Sequence, residues 1–176
     1  MTLFCRALNA AIHSMGKSYL IAAGVITIMM ILLIGSLRIG LISMLPNLAP
    51  IIVIMGVMGL FGLPLDMFTM LIGSIAIGMV VDDTVHFMHN FRRYYHETGD
   101  VTEAVRQTLH TAGRAMLVTT VVLSIGFFVL MFASMNNVFY FGMLTGITIL
   151  LALLADFLIA PALMAIFIKP YGRSKL

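Results

Sequence analysis

The chain consists of long apolar stretches separated by short polar breaks. Residues 20–37 contain no charged side chain, and residues 115–155 are uncharged throughout. A helix crosses a bilayer with about 20 residues, so the second stretch is long enough for two crossings and must turn back once. The pattern predicts five membrane-spanning helices, at about 19–37, 47–63, 68–91, 115–133 and 139–168.

Turn-forming residues mark the breaks between these spans. The first break contains Gly40 and Pro46, the second contains Gly62 and Pro64, and residues 134–137 divide the long uncharged stretch. The breaks predict three units: an external lead segment at 1–18, a five-helix transmembrane domain at 19–168 and a tail at 169–176.

The link between the third and fourth spans is the long one. Its sequence Asp100-Val101-Thr102-Glu103 matches a capping box, a motif that starts a helix. Apolar residues then recur at spacings of three and four, which predicts a short interfacial helix at about 101–113 on the cytoplasmic membrane surface. The alternative is a solvated helix that packs on its neighbours.

Composition places the chain in a membrane. Apolar residues make up 61% of it and charged residues 10%, against about 25% charged residues in soluble proteins. The net charge of +3 is compatible with nucleic-acid binding, but the basic residues flank the apolar stretches and form no long cluster. We therefore expect the lipid bilayer, and no nucleic acid, around this chain.

The basic residues also predict an orientation. With alternating spans, one side of the membrane receives only Arg6 and Lys17. The other side receives Arg38, Arg92, Arg93, Arg106, Arg114, Lys169, Arg173 and Lys175. Because cytoplasmic loops are rich in Lys and Arg, the C-terminus is predicted in the cytoplasm and the N-terminus outside. An outside N-terminus without a signal peptide is explained most simply if a helix and an external domain precede this chain in a longer polypeptide.

Two adjacent acids, Asp82 and Asp83, lie inside the third span. An aspartate at the centre of a membrane helix costs roughly 2.5–3.5 kcal/mol on insertion scales, and such residues usually have a function. Adjacent carboxylates suppress each other's second ionisation, so the pair can hold one proton near neutral pH. This predicts a proton carrier. The alternatives are a pair at a helix end near the lipid headgroups and a hydrogen-bonded patch that only fixes helix packing.

Four residues of the third span lie at spacings of four, and each is polar or small: Ser74, Gly78, Asp82 and His86. Residues at this spacing lie on one face of a helix, and small ones let another helix approach closely. We expect this face to point into the bundle. His89 adds a second imidazole at a spacing compatible with zinc, but no HExxH or CxxC pair accompanies it, so proton transfer is the better interpretation.

Two later spans carry further candidates. Asp156 in the fifth span is a second acid at membrane depth, and Gly142 with Gly146 forms a GxxxG pattern that typically packs against another helix. Thr119 and Thr120 in the fourth span have hydroxyls that can reach the acids of the third, although most membrane threonines bond their own helix.

The segment Gly73–Phe87, GSIAIGMVVDDTVHF, resembles the Gly-x-x-x-Asp motif of the fourth helix in resistance-nodulation-division (RND) exporters, especially their MMPL and predicted-exporter branches. Similar signatures stand at Pro46–Pro50, Gly113–Thr120, Gly126-Phe127 and Ala155–Leu163, so the resemblance covers about 19–168. It implies five of the six helices of one transmembrane repeat, the C-terminal one, called a sterol-sensing domain in Patched-like relatives. It also implies that an N-terminal half and a periplasmic porter domain complete the transporter, which can form oligomers.

The resemblance implies proton-driven export of a lipophilic or lipid-like substrate across the bacterial inner membrane, by a transporter and not an enzyme. The proton-motive force would supply the energy, and we expect no cofactor or metal. The candidate proton relay comprises Asp82, Asp83, His86, Thr119, Thr120 and Asp156. Two alternatives remain: a lipid-sensing or assembly module without transport, and an intramembrane aspartyl protease in which Asp82 and Asp156 share a proton.

Overall fold

The structure, a computed structural model, describes residues 2–63 and 67–168, and these are helical without any strand. The predicted turn residue Pro64 and the predicted tail at 169–176 lie outside the described residues. The helices are α1 (Thr2–Ile34), α2 (Leu37–Ile42), α3 (Met44–Leu60), α4 (Met67–Thr98), α5 (Val101–Val129) and α6 (Asn136–Phe167). A single 3₁₀ turn, Leu130–Phe132, follows α5.

The predicted number of spans is confirmed. Five segments of the described chain are long and apolar enough to cross a bilayer: Gly16–Ile34, Leu37–Leu60, Phe68–Thr98, Val101–Phe132 and Asn136–Phe167. The chain is therefore an all-α, multi-pass membrane protein. The break at 134–137 is also present, because α6 begins at Asn136 after an extended Met135.

The link between α4 and α5 differs from the prediction. The helix expected at about 101–113 is not separate, because it is the first half of a continuous α5. Gly113 does not interrupt the helix, since it is buried and lies against the ring of Phe157 on α6. Val101 and Ala104 are buried in the same core cluster as Phe91, which matches the alternative of a helix that packs on its neighbours.

The two helices α4 and α5 are therefore longer than a bilayer is thick. The 32 residues of α4 extend about 48 Å at 1.5 Å per residue, against a hydrocarbon core of about 30 Å. The chain turns between them at Gly99, which has a φ of +66°. We call this end of the molecule, around Gly99 and Asp100, the hairpin end.

The first two spans are joined by a tight turn. Gly35 has a φ of +71°, a conformation that favours glycine. The predicted break residue Gly40 lies within α2, where an added Cβ would stand 2.9 Å from the Cα of Ile31. Pro46 lies in the first turn of α3, where its missing N–H is not needed. The α1–α2 turn is therefore built on close backbone approach.

The core lies among α3, α4, α5 and α6. Phe87, Met88 and Met164 are almost fully buried there. By contrast, α1 lies at the periphery with exposed apolar side chains such as Leu20 and Leu32, as expected for a surface that faces lipid. It is tied to α4 by the Tyr19 hydroxyl, which donates to the carbonyl of Met70 at 2.5 Å.

Candidate functional site

Two faces of α4 carry polar residues in opposite environments. The face of Ala76, Val80 and Thr84 is buried, each with 1% or less of its surface exposed. The face of Ser74, Gly78, Asp82 and His86 is exposed in this chain. An added Cβ on Gly78 would meet nothing within 4 Å.

The structure thus differs from the prediction that the Asp82 face points into the bundle. Asp82 is two residues from both Val80 and Thr84, so on a helix of 3.6 residues per turn it lies about 200° around the axis from each. When Val80 and Thr84 are buried against α3 and α6, Asp82 must point away from those helices. At Ser74 the hydroxyl of Tyr19 on α1 lies 3.4 Å from the serine oxygen, whereas nothing in the described part of this chain covers Gly78.

Asp82 and His86 form a pair on the exposed face. The Nε2 of His86 lies 3.7 Å from Oδ1 of Asp82, and their side chains are 65% and 75% exposed. This is one helical turn, as the spacing of four predicts. The long distance and the exposure make it a weak ion pair by itself.

Asp83 faces α5 and is half-buried. Its Oδ2 accepts a hydrogen bond of 3.4 Å from the hydroxyl of Thr120, a residue with 1% of its surface exposed. The neighbouring Thr119 instead bonds the backbone carbonyls of Ala115 and Met116 in its own helix. The structure therefore brings Thr120 to the acid pair through a direct bond, whereas Thr119 lies beside the pair without bonding it.

A polar cleft runs from the acid pair along α4 and α5. It has a volume of about 350 Å³, and its walls include Asp82, Asp83, His86, Asn90, Thr111 and Thr119. A second cavity of about 160 Å³ adjoins it at Asp83 and is lined by Thr120 and Ala152. Since Asn90 and Thr111 lie nearer the hairpin end than the acids do, the cleft extends from Asp83 towards that end.

A second polar group is fully enclosed between three helices. Asn47 of α3, Thr84 of α4 and Asp156 of α6 are each 3% exposed or less. The Thr84 oxygen lies 2.5 Å from Oδ1 of Asn47 and 2.7 Å from Oδ1 of Asp156. We call these three residues the buried polar cluster.

Sequence reasoning selected Asp156 from this cluster but missed Asn47 and Thr84 as site residues. Both lie inside the motifs quoted above, so their place in those motifs could have identified them, whereas their residue type alone could not. Thr84 lies four residues after Val80 and eight after Ala76, which places it on the apolar stripe that the bundle buries.

The arrangement needed for an aspartyl protease is not formed. Asp82 is exposed and contacts His86, whereas Asp156 is fully buried and contacts Thr84. Two carboxylates that share a proton must lie within one hydrogen bond of each other. In this structure Asp82 and Asp156 belong to different sites.

Two glycines of α6 lie against α5. A Cβ added at Gly142 would stand 2.5 Å from the carbonyl oxygen of Phe127, and one added at Gly146 would stand 2.5 Å from the ring of Phe128. Near them, the hydroxyl of Ser124 reaches the carbonyl of Gly146 at 3.5 Å. Close backbone approach at this point holds α5 against α6 beside the acid-lined cavity.

Comparison with known proteins points to a transport family. The profile of the AcrB/AcrD/AcrF family matches residues 4–176. The chain is similar to the toluene efflux pump membrane transporter TtgE and the solvent-resistant pump membrane transporter SrpB, both of Pseudomonas putida. It is 29% identical to each, over 92% and 94% of this chain.

A membrane protein of Methanocaldococcus jannaschii is also similar, with 29% identity over 85% of this chain. The matched regions make up 39% of the archaeal protein and 16% of each Pseudomonas pump. The chain thus spans less than half the length of these relatives.

Proposed function

The chain belongs to the AcrB/AcrD/AcrF family, within the RND superfamily, and we propose that it is the transmembrane part of a proton-driven exporter of lipophilic or lipid-like molecules. Two of its relatives are named as pumps for toluene and for solvents, which supports a hydrophobic substrate class. On this proposal the remaining half and a porter domain complete the transporter in the bacterial inner membrane, with the C-terminus in the cytoplasm.

The observation that carries the proposal is the acid pair at the inner end of a polar cleft. Asp83 is half-buried and bonded to Thr120 of another helix, while the cleft leads from it past His86 towards the hairpin end. A proton that arrives along the cleft removes one negative charge from the pair. This changes the interaction between α4 and α5 and favours a different packing of the two helices.

The membrane potential can drive such a step. One charge moving across 100 mV is worth about 2.3 kcal/mol, enough to change the ratio of two conformations by more than tenfold. No cofactor takes part in this scheme, since the chemistry is the binding and release of a proton by side chains. The protein is therefore proposed to act as a secondary transporter and not as an enzyme.

Isosteric removal of the acids tests this proposal. The complete transporter containing this chain would be reconstituted in liposomes, with a pH gradient imposed and with export of a fluorescent lipophilic dye recorded. We expect Asp82→Asn, Asp83→Asn or both to abolish gradient-driven export, because an amide has the shape of the acid but carries no transferable proton.

Glu97→Gln is the matched control, since it makes the same chemical change at an exposed acid near the hairpin end. Its export should equal that of the wild type. Full gradient-driven export in both single variants and in the double variant would overturn the proton-relay proposal.

The exposed face of Ser74, Gly78 and Asp82 favours a second candidate, an assembly module without transport of its own. This face is exposed, and an added Cβ at Gly78 would meet nothing within 4 Å, so the face is suited to close contact with another transmembrane helix. The double Asn variant separates the two functions. If the chain is an assembly module, the double Asn variant still joins the rest of its transporter, and the wild type shows no acid-dependent proton flux.

A further inference from the structure

With the Asn47 amide oriented as in this structure, the buried polar cluster contains fewer hydrogens than its contacts require if Asp156 is ionised. The Thr84 oxygen lies 2.5 Å from Oδ1 of Asn47, 2.7 Å from Oδ1 of Asp156 and 3.2 Å from the carbonyl oxygen of Val80. An amide oxygen, a carboxylate and a carbonyl are all acceptors, whereas a hydroxyl has one hydrogen to donate. One of the two short contacts must therefore be made by a hydrogen from the other side.

The Asn47 amide does not supply that hydrogen in this structure. Its Nδ2 points to the sulfur of Met44 at 3.9 Å, and its oxygen faces Thr84. Exchanging the two ends would give up this weak contact to sulfur and would turn Nδ2–H towards the Thr84 oxygen. The orientation of an amide is assigned from its contacts, and in the orientation of this structure Thr84 donates to Asn47.

In this orientation the missing hydrogen belongs to Asp156. Its side chain is 0% exposed, and its Oδ2 has no hydrogen-bond partner among the described residues. An ionised carboxylate in that position would keep only one hydrogen bond, and a buried charge needs full pairing. A protonated acid needs less, because Oδ1–H donates to Thr84 and a neutral carbonyl oxygen is left over.

The packed helices bring no cation to this acid. From α3 comes the Asn47 amide, and from α4 come Thr84 and the carboxylate of Asp83, which acts on Asp156 as a like charge. The charged residues of α5 lie nearer the hairpin end, at Glu103, Arg106 and Arg114. Within α6, Asp156 is the only charged residue.

We propose that Asp156 is a buried proton-binding site whose proton sets the direction of a hydrogen-bond chain across three helices. With the proton present, Asp156 donates to Thr84 and Thr84 donates to Asn47. When Oδ1 of Asp156 gives up the proton, the Thr84 hydroxyl turns to donate to the carboxylate, and the Asn47 amide makes a half-turn so that Nδ2–H donates to Thr84.

The proton passes to the carboxylate of Asp83, so one acid becomes neutral as the other becomes charged. The cavity of about 160 Å³ that Asp83 and Ala152 line ends one helical turn from Asp156, because Ala152 lies four residues before Asp156 on the same side of α6. This exchange rests on the proposed function of Asp83, whereas the protonation of Asp156 and the bond reversal do not.

Infrared spectroscopy of the purified protein in lipid nanodiscs, with isotope-labelled aspartate, tests the protonation directly. A protonated carboxyl group has a carbonyl band that a carboxylate lacks. At neutral pH we expect a protonated-aspartate band that is absent from Asp156→Asn and retained in Asp83→Asn. Identical spectra of the wild type and Asp156→Asn in this region would overturn the proposal.

A pair of Thr84 variants keeps the test decisive if Asp156→Asn does not fold. Thr84→Ser retains the hydroxyl and should leave the band in place. Thr84→Val removes the acceptor of the Asp156 proton and should move the band to the frequency of an acid without a hydrogen bond. A band that both variants leave unmoved would show that Asp156 does not donate to Thr84.

The same variants separate this inference from the proposed function. If Asp82→Asn and Asp83→Asn transport normally while the Asp156 band is present, the proton relay fails and the buried site stands. If the acid-pair variants stop transport and the band is absent, the relay stands and the buried site fails.

Discussion

The two faces of α4 that carry Thr84 and Asp82 lie at the same depth of the molecule but differ in burial. Thr84 is fully enclosed, and its hydroxyl contacts side chains of two other helices. Asp82, two residues earlier, is 75% exposed and pairs with His86 of its own helix. The Thr84 face is therefore covered by helices of this chain, whereas the Asp82 face is suited to contact with water or with a helix from another segment.

Chemical labelling gives the largest contrast between the faces. In a Cys5→Ser background, His86→Cys should react rapidly with a water-soluble maleimide, because the side chain it replaces is 65% exposed beside the polar cleft. Met88→Cys is the matched control, since it lies two residues away and is 1% exposed. Its labelling should be slower by at least an order of magnitude, because the reagent needs an accessible thiolate.

The same experiment can contradict the difference in exposure between the two faces of α4. If His86→Cys becomes protected in the complete transporter, the exposed face is covered there by another segment. Equal labelling of the two cysteines in the chain alone would mean that the faces are not separated as described.

Unfolding measurements give the next contrast. Thr84→Val keeps the side-chain shape but leaves Asn47 and Asp156 without their shared contact. Each buried polar group that loses its partner costs about 1–3 kcal/mol, and denaturant-induced unfolding in detergent would measure the sum. Ser74→Ala on the exposed face should stay within about 0.5 kcal/mol of the wild type. Equal losses in both variants would contradict the enclosure of Thr84.

The sequence predicted the spans well because a membrane helix is identified by local composition. It also predicted the start of α5, where Asp100 accepts from the Thr102 N–H at 2.8 Å. It predicted the wrong face of α4 to turn inward, because Gly78 and Ala76 are both small and apolar residues continue on most sides of that stretch. Facing is decided by what packs against the helix, and Asn47 and Asp156 lie far from Thr84 along the chain.

Glycine variants extend the comparison to the small residues that sequence reasoning treated alike. Gly142→Ala places a methyl group 2.5 Å from a carbonyl oxygen of α5 and 2.7 Å from the Cβ of Leu130, so α5 and α6 must separate. Overpacking of this kind costs about 1–3 kcal/mol. Gly78→Ala meets nothing within 4 Å and should be neutral or slightly stabilising, as alanine favours a helix.

Thermal unfolding of the two alanine variants in detergent would check this. In the complete transporter the result for Gly78 can change. A loss of stability there, but not in the chain alone, would identify Gly78 as a contact with another helix. A stable Gly142→Ala variant would contradict the close approach of α6 to α5.

A smaller destabilisation than that of Thr84→Val is expected at the hairpin end, where polar groups are already in water. Asp100→Ala removes the cap from the first turn of α5 and should cost about 1 kcal/mol. This is less than Thr84→Val, because water reaches the uncapped N–H groups, whereas it does not reach the buried polar cluster. Asp100→Ser retains a capping oxygen and serves as the control, with an unfolding free energy close to the wild type. If Asp100→Ala cost more than Thr84→Val, stability would depend on the α4–α5 turn more than on the enclosed face, and the ranking of the two faces would no longer describe the bundle.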